Sequence, residues 1–159
     1  MSAEKTPPTM SIAYRRAVPD DTPACLLLRG RTRENAVSVE RLAARGITLE
    51  SWRSAIADGS LPGHVATVGG EIVGYCFGER RTGEIAVLAL LPDHEDQGVG
   101  KTLLGLVADE FRELGFARLF LGCSPDPTMR SHGFYRHLGW RPTGSFDDHG
   151  DEILEFHLA

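Results

Sequence analysis

Residues 88–104 read LALLPDHEDQGVGKTLL, and this stretch decides the fold. It closes a long apolar run, Gly83–Leu91 (GEIAVLALL), whose near-continuity predicts a strand buried on both faces. Pro92 cannot donate to a β-ladder and ends it. From about Gly98 to Leu114 the apolar period changes: Leu103, Leu104, Val107, Phe111 and Leu114 share one helical face, and Gly115 stops the helix. Gly98 and Gly100 thus stand where the helix begins and, lacking Cβ atoms, let a ligand approach the backbone. The first-turn N–H groups have no intrahelical partner and the helix dipole favours an anion there. Lys101 adds a cation. These residues suit a phosphate site and a plain tight turn about equally.

Outward from this stretch, the order of elements is consistent. Ser11–Arg16 (SIAYRR) alternates as a strand, and Pro19-Asp20-Asp21 marks a helix start. The helix predicted there carries Cys25, Leu28, Thr32 and Ala36 at helical spacing, although Arg29–Asn35 (RGRTREN) is dense in charge. Gly46 and Thr48 mark a second helix with Trp52, Ala55 and Ile56 in an apolar stripe. His64–Val68, a Gly69-Gly70 turn and Glu71–Phe77 read as a β-hairpin. After the central helix come a strand at Ala117–Cys123, a short helix at Thr128–Leu138, and two strands, from Trp140 and over Glu152–His157. The predicted class is α/β, with one central mixed twisted sheet of about seven strands flanked by about four helices.

The chain has 159 residues, the length of one domain, and at that size about 68–70% of the unfolded surface is buried on folding. Hydrophobic residues make up 42% and charged residues 25%, which excludes a disordered tail, a collagen-like repeat and a disulfide scaffold. Seventeen Lys+Arg against 22 Asp+Glu leave a net charge of −5, which gives nucleic-acid binding no support. Cys25, Cys76 and Cys123 form no CxxC pair and read as reduced, packed thiols. No apolar run approaches the roughly 18 residues of a membrane span, and residues 1–10 lack a signal-peptide core. The expectation is a flexible leader over 1–10, a single domain over 11–159, and a cytoplasmic protein with no membrane or nucleic-acid partner.

Three phosphate signatures compare with the glycine turn. A dinucleotide fingerprint would require glycine at position 103, where Leu103 stands. Gly100-Lys101-Thr102 matches the end of a P-loop, but its first glycine falls on Glu95 and too little chain follows for a nucleotide-hydrolase sheet. The third comparison covers more. Gly98-Val99-Gly100, after Leu90-Leu91-Pro92, resembles the glycine end of the [QR]-x-x-G-x-[GA] acetyl-CoA motif of the GCN5-related N-acetyltransferase (GNAT) superfamily. Ser131–Trp140 (SHGFYRHLGW) resembles that family's A-x-x-x-Y-x-x-x-G-[FW] segment, with Tyr135 at its tyrosine. Spacing and element order agree from Ser11 onward. Glu95 departs from the motif's Gln or Arg, and Asp96 stands where small residues are frequent.

The resemblance implies a GNAT-like fold whose sheet opens between its fourth and fifth strands to admit acetyl-CoA as co-substrate, with no metal. It implies cofactor contacts at Leu90, Leu91, Gln97, Gly98, Val99, Gly100, Lys101, Thr102 and Phe134, the turn holding the pyrophosphate. It further implies direct acetyl transfer to an amine of a small molecule or peptide. Tyr135 becomes the candidate acid for the leaving thiolate, and Glu84 the candidate base, with Glu79 and His94 as rivals. Arg31, Arg33, Glu34 and Asn35 fall in the acceptor region, where Arg31 or Arg33 would clamp a substrate carboxylate. The acidic stretch Phe146–Glu152 would attract a cationic amine. A homodimer is compatible with the family. A non-catalytic acyl-CoA-binding module and a P-loop-like nucleotide-binding protein are the competing readings.

Overall fold

The computed structural model describes residues 11–33 and 36–158. The leader expected over 1–10 lies outside the described residues, as do the acceptor candidates Glu34 and Asn35. Seven strands, β1 (Ala13–Arg16), β2 (Gly63–Val68), β3 (Glu71–Glu79), β4 (Glu84–Leu90), β5 (Arg118–Cys123), β6 (Arg141–Phe146) and β7 (Glu152–His157), form one sheet in the order β1-β2-β3-β4-β5-β7-β6. All neighbours are antiparallel except β4 and β5. The described helices are α1 (Thr22–Arg29), α2 (Val39–Ala44), α3 (Leu49–Ala57), α4 (Val99–Glu113) and α5 (Arg130–His137). The sheet is mixed, as expected, with one helix more than the sequence pattern suggested.

That difference lies in the charged stretch after Leu28. α1 stops at Arg29, Gly30 caps it, and the Val37 N–H returns to the Arg29 carbonyl. Thr32 therefore lies outside the helix, and so does Ala36, contrary to the spacing argument. From Arg29 to Ala36 no large apolar side chain is available to bury against the sheet, and glycine is a poor helix former. The chain restarts at Ser38, whose hydroxyl accepts from the Arg41 N–H to cap the six-residue α2. Thr48 and Ser51 form a capping box at α3.

Each face of the sheet has its own core. On one, the Trp52 ring of α3 meets Tyr75 and Phe77 of β3 edge-on at 5.7 and 5.5 Å, beside Cys25, Leu28 and Leu42. On the other, Leu103, Val107 and Phe111 of α4 pack with Leu119, Leu121 and Leu154, and Tyr135 and Trp140 extend the layer. Each such side chain contributes about 1.5–3 kcal/mol by leaving water.

β4 is the exception, and its departure from expectation makes the site. Only Ile85 and Ala89 are buried, Ala86 is exposed, and Val87, Leu88 and Leu90 are half-buried. Its apolar run reflects a strand beside an opening. A single register pair, Glu84↔Phe120, joins β4 to β5, supported by the Phe120 N–H on the Gly83 carbonyl at 3.2 Å. Beyond that pair the two parallel strands part.

Candidate active site

The gap between the strands is a cleft of about 340 Å³. One wall is Ile85–Leu90 of β4 and the other Leu121–Cys123 of β5. Gly98, Val99, Gly100 and Lys101 close one end, while Phe134 and Tyr135 of α5 also line it. β4 leads to this end because Pro92 breaks the ladder into a short 3-10 turn, Pro92–His94, after which the chain swings into α4.

The α4 terminus is built to leave its amides exposed to a ligand. Gly98 takes the N-cap position at φ 77°, and no side chain caps the helix. A left-handed residue here favours glycine, and the missing side-chain acceptor leaves the first-turn N–H groups for an external anion. The first intrahelical bond is Thr102 N–H to the Gly98 carbonyl, 3.0 Å, so the Thr102 amide is already committed. Asp96, just upstream, is the one non-glycine described residue at positive φ, 65°. Leu91 is not on the cleft lining and instead lines a second cavity with Arg31, Arg15 and Asp20. Gln97 and Thr102 are not on the cleft lining.

Tyr135 is 9% exposed and lies on the cleft wall. Its ring is fixed edge-on between Phe134 at 5.0 Å and Trp140 at 5.8 Å. Burial above all, then the thiols of Cys76 and Cys123, holds its phenol well above the ordinary range, so it stays protonated.

Glu84 is itself a member of the pair that ends the cleft and does not line it. Burial first, then the charges of Glu79 and Asp147, raises its carboxyl pKa. Asp151 does line the cleft, and burial first, then Asp147, raises it while His149 opposes. The acidic loop reaches this position because β5 offers no side chain at Gly122, where a Cβ would lie 2.8 Å from Asp147 Oδ2 and 3.4 Å from Asp151 Cβ. Asp147 then accepts from the Asp151 N–H at 3.0 Å and shapes the loop. The sequence pointed to this loop only as a charged stretch. Gly122 inside a strand was the available signal of close approach.

Arg33 reaches the cleft from the loop after α1, where its Nε donates to Glu95 Oε1 at 2.7 Å. Arg31 does not join it there. Among the described residues no His/Cys/Asp/Glu group could hold a metal ion, and no helix is long and apolar enough to cross a membrane.

A parallel pair that parts beside an uncapped helix N-terminus is the frame of the site, and comparison with known proteins gives the class of fold. The profile of the Acetyltransferase (GNAT) family matches residues 30–140, and the chain belongs to that family. No curated protein matches the sequence closely enough to name a relative. Among solved structures, the chain is similar to the PaiA N-acetyltransferase of Thermoplasma acidophilum in complex with coenzyme A. That match has 19% identity and TM-score 0.79, covering 93% of this chain and 99% of that one. It is also similar to a GNAT-family acetyltransferase of Staphylococcus aureus (15%, 0.76, covering 94% and 100%). A third is the N-acetyltransferase YhbS of Escherichia coli in complex with CoA (20%, 0.69, covering 98% and 86%). At these identities the likeness shows the fold. The antiparallel run from β1 to β4 also differs from the parallel sheet a P-loop requires, which leaves the Gly100-Lys101-Thr102 match without its structural context.

Proposed function

We propose that this protein is an acetyl-CoA-dependent N-acetyltransferase that moves an acetyl group directly to a primary amine of a small molecule or peptide. The observation that carries this reading is the parting of β4 from β5 into a cleft that ends on the uncapped N-terminus of α4. The donor set fits the co-substrate. Backbone N–H groups and Lys101 suit a diphosphate, and the apolar walls suit the pantetheine arm. Acetyl-CoA when bound supplies an activated thioester and a thiol leaving group.

The chain's own residues do the rest. Beyond Glu84 the β5-side edge of β4 has no partner strand, so the backbone groups on that edge are available to hold an extended arm and to polarise a carbonyl. Tyr135, protonated and without a hydrogen-bond partner among the described residues, donates its proton or hydrogen bond toward the leaving sulfur. A primary ammonium, with a pKa of about 10 in water, must lose a proton before it attacks. Asp151 takes that proton, directly or through water, because it lines the cleft with a raised pKa, whereas Glu84 is set back from it.

Thermal stability with excess acetyl-CoA, and separately with Mg-ATP, tests the reading. A ligand at 100 times Kd adds about 2.7 kcal/mol, which raises Tm by roughly 5–10 °C for a domain of this size. Acetyl-CoA alone is expected to give the shift, followed by thiol release in a screen of amines. Binding without release from any amine would favour a non-catalytic acyl-CoA module. A shift with Mg-ATP alone would overturn the assignment.

A further inference from the structure

The position where the family motif has Gln or Arg is a carboxylate here, beside a helix end suited to an anion. Its surroundings account for this. Glu95 is largely withdrawn from solvent, its side chain 12% exposed, and one oxygen serves two arginines from distant parts of the chain. Arg33, from the loop after α1, donates its Nε to Oε1 at 2.7 Å. Arg130, the first residue of α5, places its Nε 3.8 Å from the same oxygen. Arg130 also donates Nη2 to Asp96 Oδ1 at 3.1 Å, the carboxylate carried by the positive-φ residue. One carboxylate thereby holds two like charges near each other.

All of these side chains line the cleft at its α4 end. With Lys101 there are three cations against two carboxylates, added to the positive end of the α4 dipole. Arg33 spends only its Nε on Glu95. Neither of its Nη groups is hydrogen-bonded to a described residue, and its side chain is 57% exposed. A guanidinium held by one edge with its remaining donors open suits a phosphate oxygen pair.

Given acyl-CoA in the cleft, as proposed above, we propose that Arg33 and Arg130 are the cationic ligands of its diphosphate, gathered there by Glu95. The side-chain contact that the motif's Gln or Arg would make comes instead from two other segments. In this assignment Arg33 serves the co-substrate in place of an acceptor carboxylate. The loop after α1 is thereby tied to the pyrophosphate turn.

Titration calorimetry with CoA and with dephospho-CoA, on the wild type, Arg33→Ala and Arg130→Ala, tests this. Both ligands carry the diphosphate and only CoA carries the ribose 3′-phosphate. Each substitution is expected to weaken both ligands by about tenfold and to the same extent, as loss of a charge-assisted hydrogen bond does. The Tm of the unliganded variants should stay within about 2 °C, since both guanidinium groups are about half exposed and the remaining arginine still pairs Glu95. A loss confined to CoA would move the arginines to the 3′-phosphate and overturn the assignment. Unchanged affinity for both ligands would overturn it too. If the wild type binds neither, the acyl-CoA reading itself fails and takes this proposal with it.

Discussion

Gly100 in the first turn of α4 faces Phe134 of α5 so closely that a Cβ at residue 100 would lie 3.3 Å from the ring's Cζ. Leu88 of β4 lies on the same side, 3.8 Å away. The backbone of the first turn of α4 thus lies between an aromatic ring and the cleft wall. Gly100→Val would place two methyl branches in that space. Its expected effect is at least a tenfold loss of CoA affinity by calorimetry, with an unchanged far-ultraviolet circular dichroism spectrum. Wild-type affinity in this variant would show that the turn does not receive the co-substrate.

Tyr135 separates chemistry from packing. Its ring is part of the core, and its hydroxyl has no hydrogen-bond partner among the described residues. Tyr135→Phe therefore keeps the packing, and Tm should not fall. If the phenol protonates the leaving sulfur, kcat drops about a hundredfold while CoA affinity stays within twofold. Equal turnover in a thiol-release assay would remove Tyr135 from the mechanism.

The two raised carboxyls, Asp151 on the cleft lining and Glu84 off it, give opposite expectations. A base acts when deprotonated, so a raised pKa moves the loss of activity on acidification to higher pH. For the wild type, kcat/KM should fall with decreasing pH through a midpoint above the ordinary 3.8 of an aspartic acid. Asp151→Asn is expected to lower kcat/KM more than tenfold and to abolish that limb. Glu84→Gln should keep it, because Glu84 is not on the cleft lining. A limb that survives in Asp151→Asn and vanishes in Glu84→Gln would return the base to the residue that the family resemblance suggested.

The fold was legible because its decisive signals are local. The run Gly83–Leu91, the proline stop, the glycine turn and the α4 stripe fall within some thirty consecutive residues, and each follows from a short-range rule. The segment around Tyr135 adds a second local pattern, and family and sheet agree with both. What escaped depends on pairs distant in the chain. Arg33 and Glu95 are 62 positions apart, so a polar stretch and a motif departure looked unrelated. Gly122 and Asp151 meet only because β7 returns beside β5. The apolar run of β4 reads the same whether a strand is buried between neighbours or lines a cleft. Periodicity cannot separate those cases; the missing β5 ladder does.

The three thiols make stability sensitive to alkali. Cys25 and Cys76 are fully buried, and Cys123 nearly so. Burial chiefly, reinforced by Asp21 and opposed by Arg15, pushes the Cys25 thiol from 9.0 up to about 12, and burial alone moves Cys76 upward as well. A folded-state pKa raised above the unfolded one gives a contribution that is fully present below about pH 9. It is lost as pH rises toward the folded value, because the unfolded chain releases protons that the folded one retains. Each thiol then costs about 1.4 kcal/mol per pH unit. Between pH 8 and pH 10 the buried pair should remove about 3 kcal/mol, read from urea melts under reducing conditions. Cys76→Ala leaves a cavity and lowers stability at both pH values, yet the difference between them should shrink by about 1.4 kcal/mol, that thiol's share. An unchanged difference would mean that this thiol ionises as readily in the fold as out of it, contrary to its burial between α4 and the sheet.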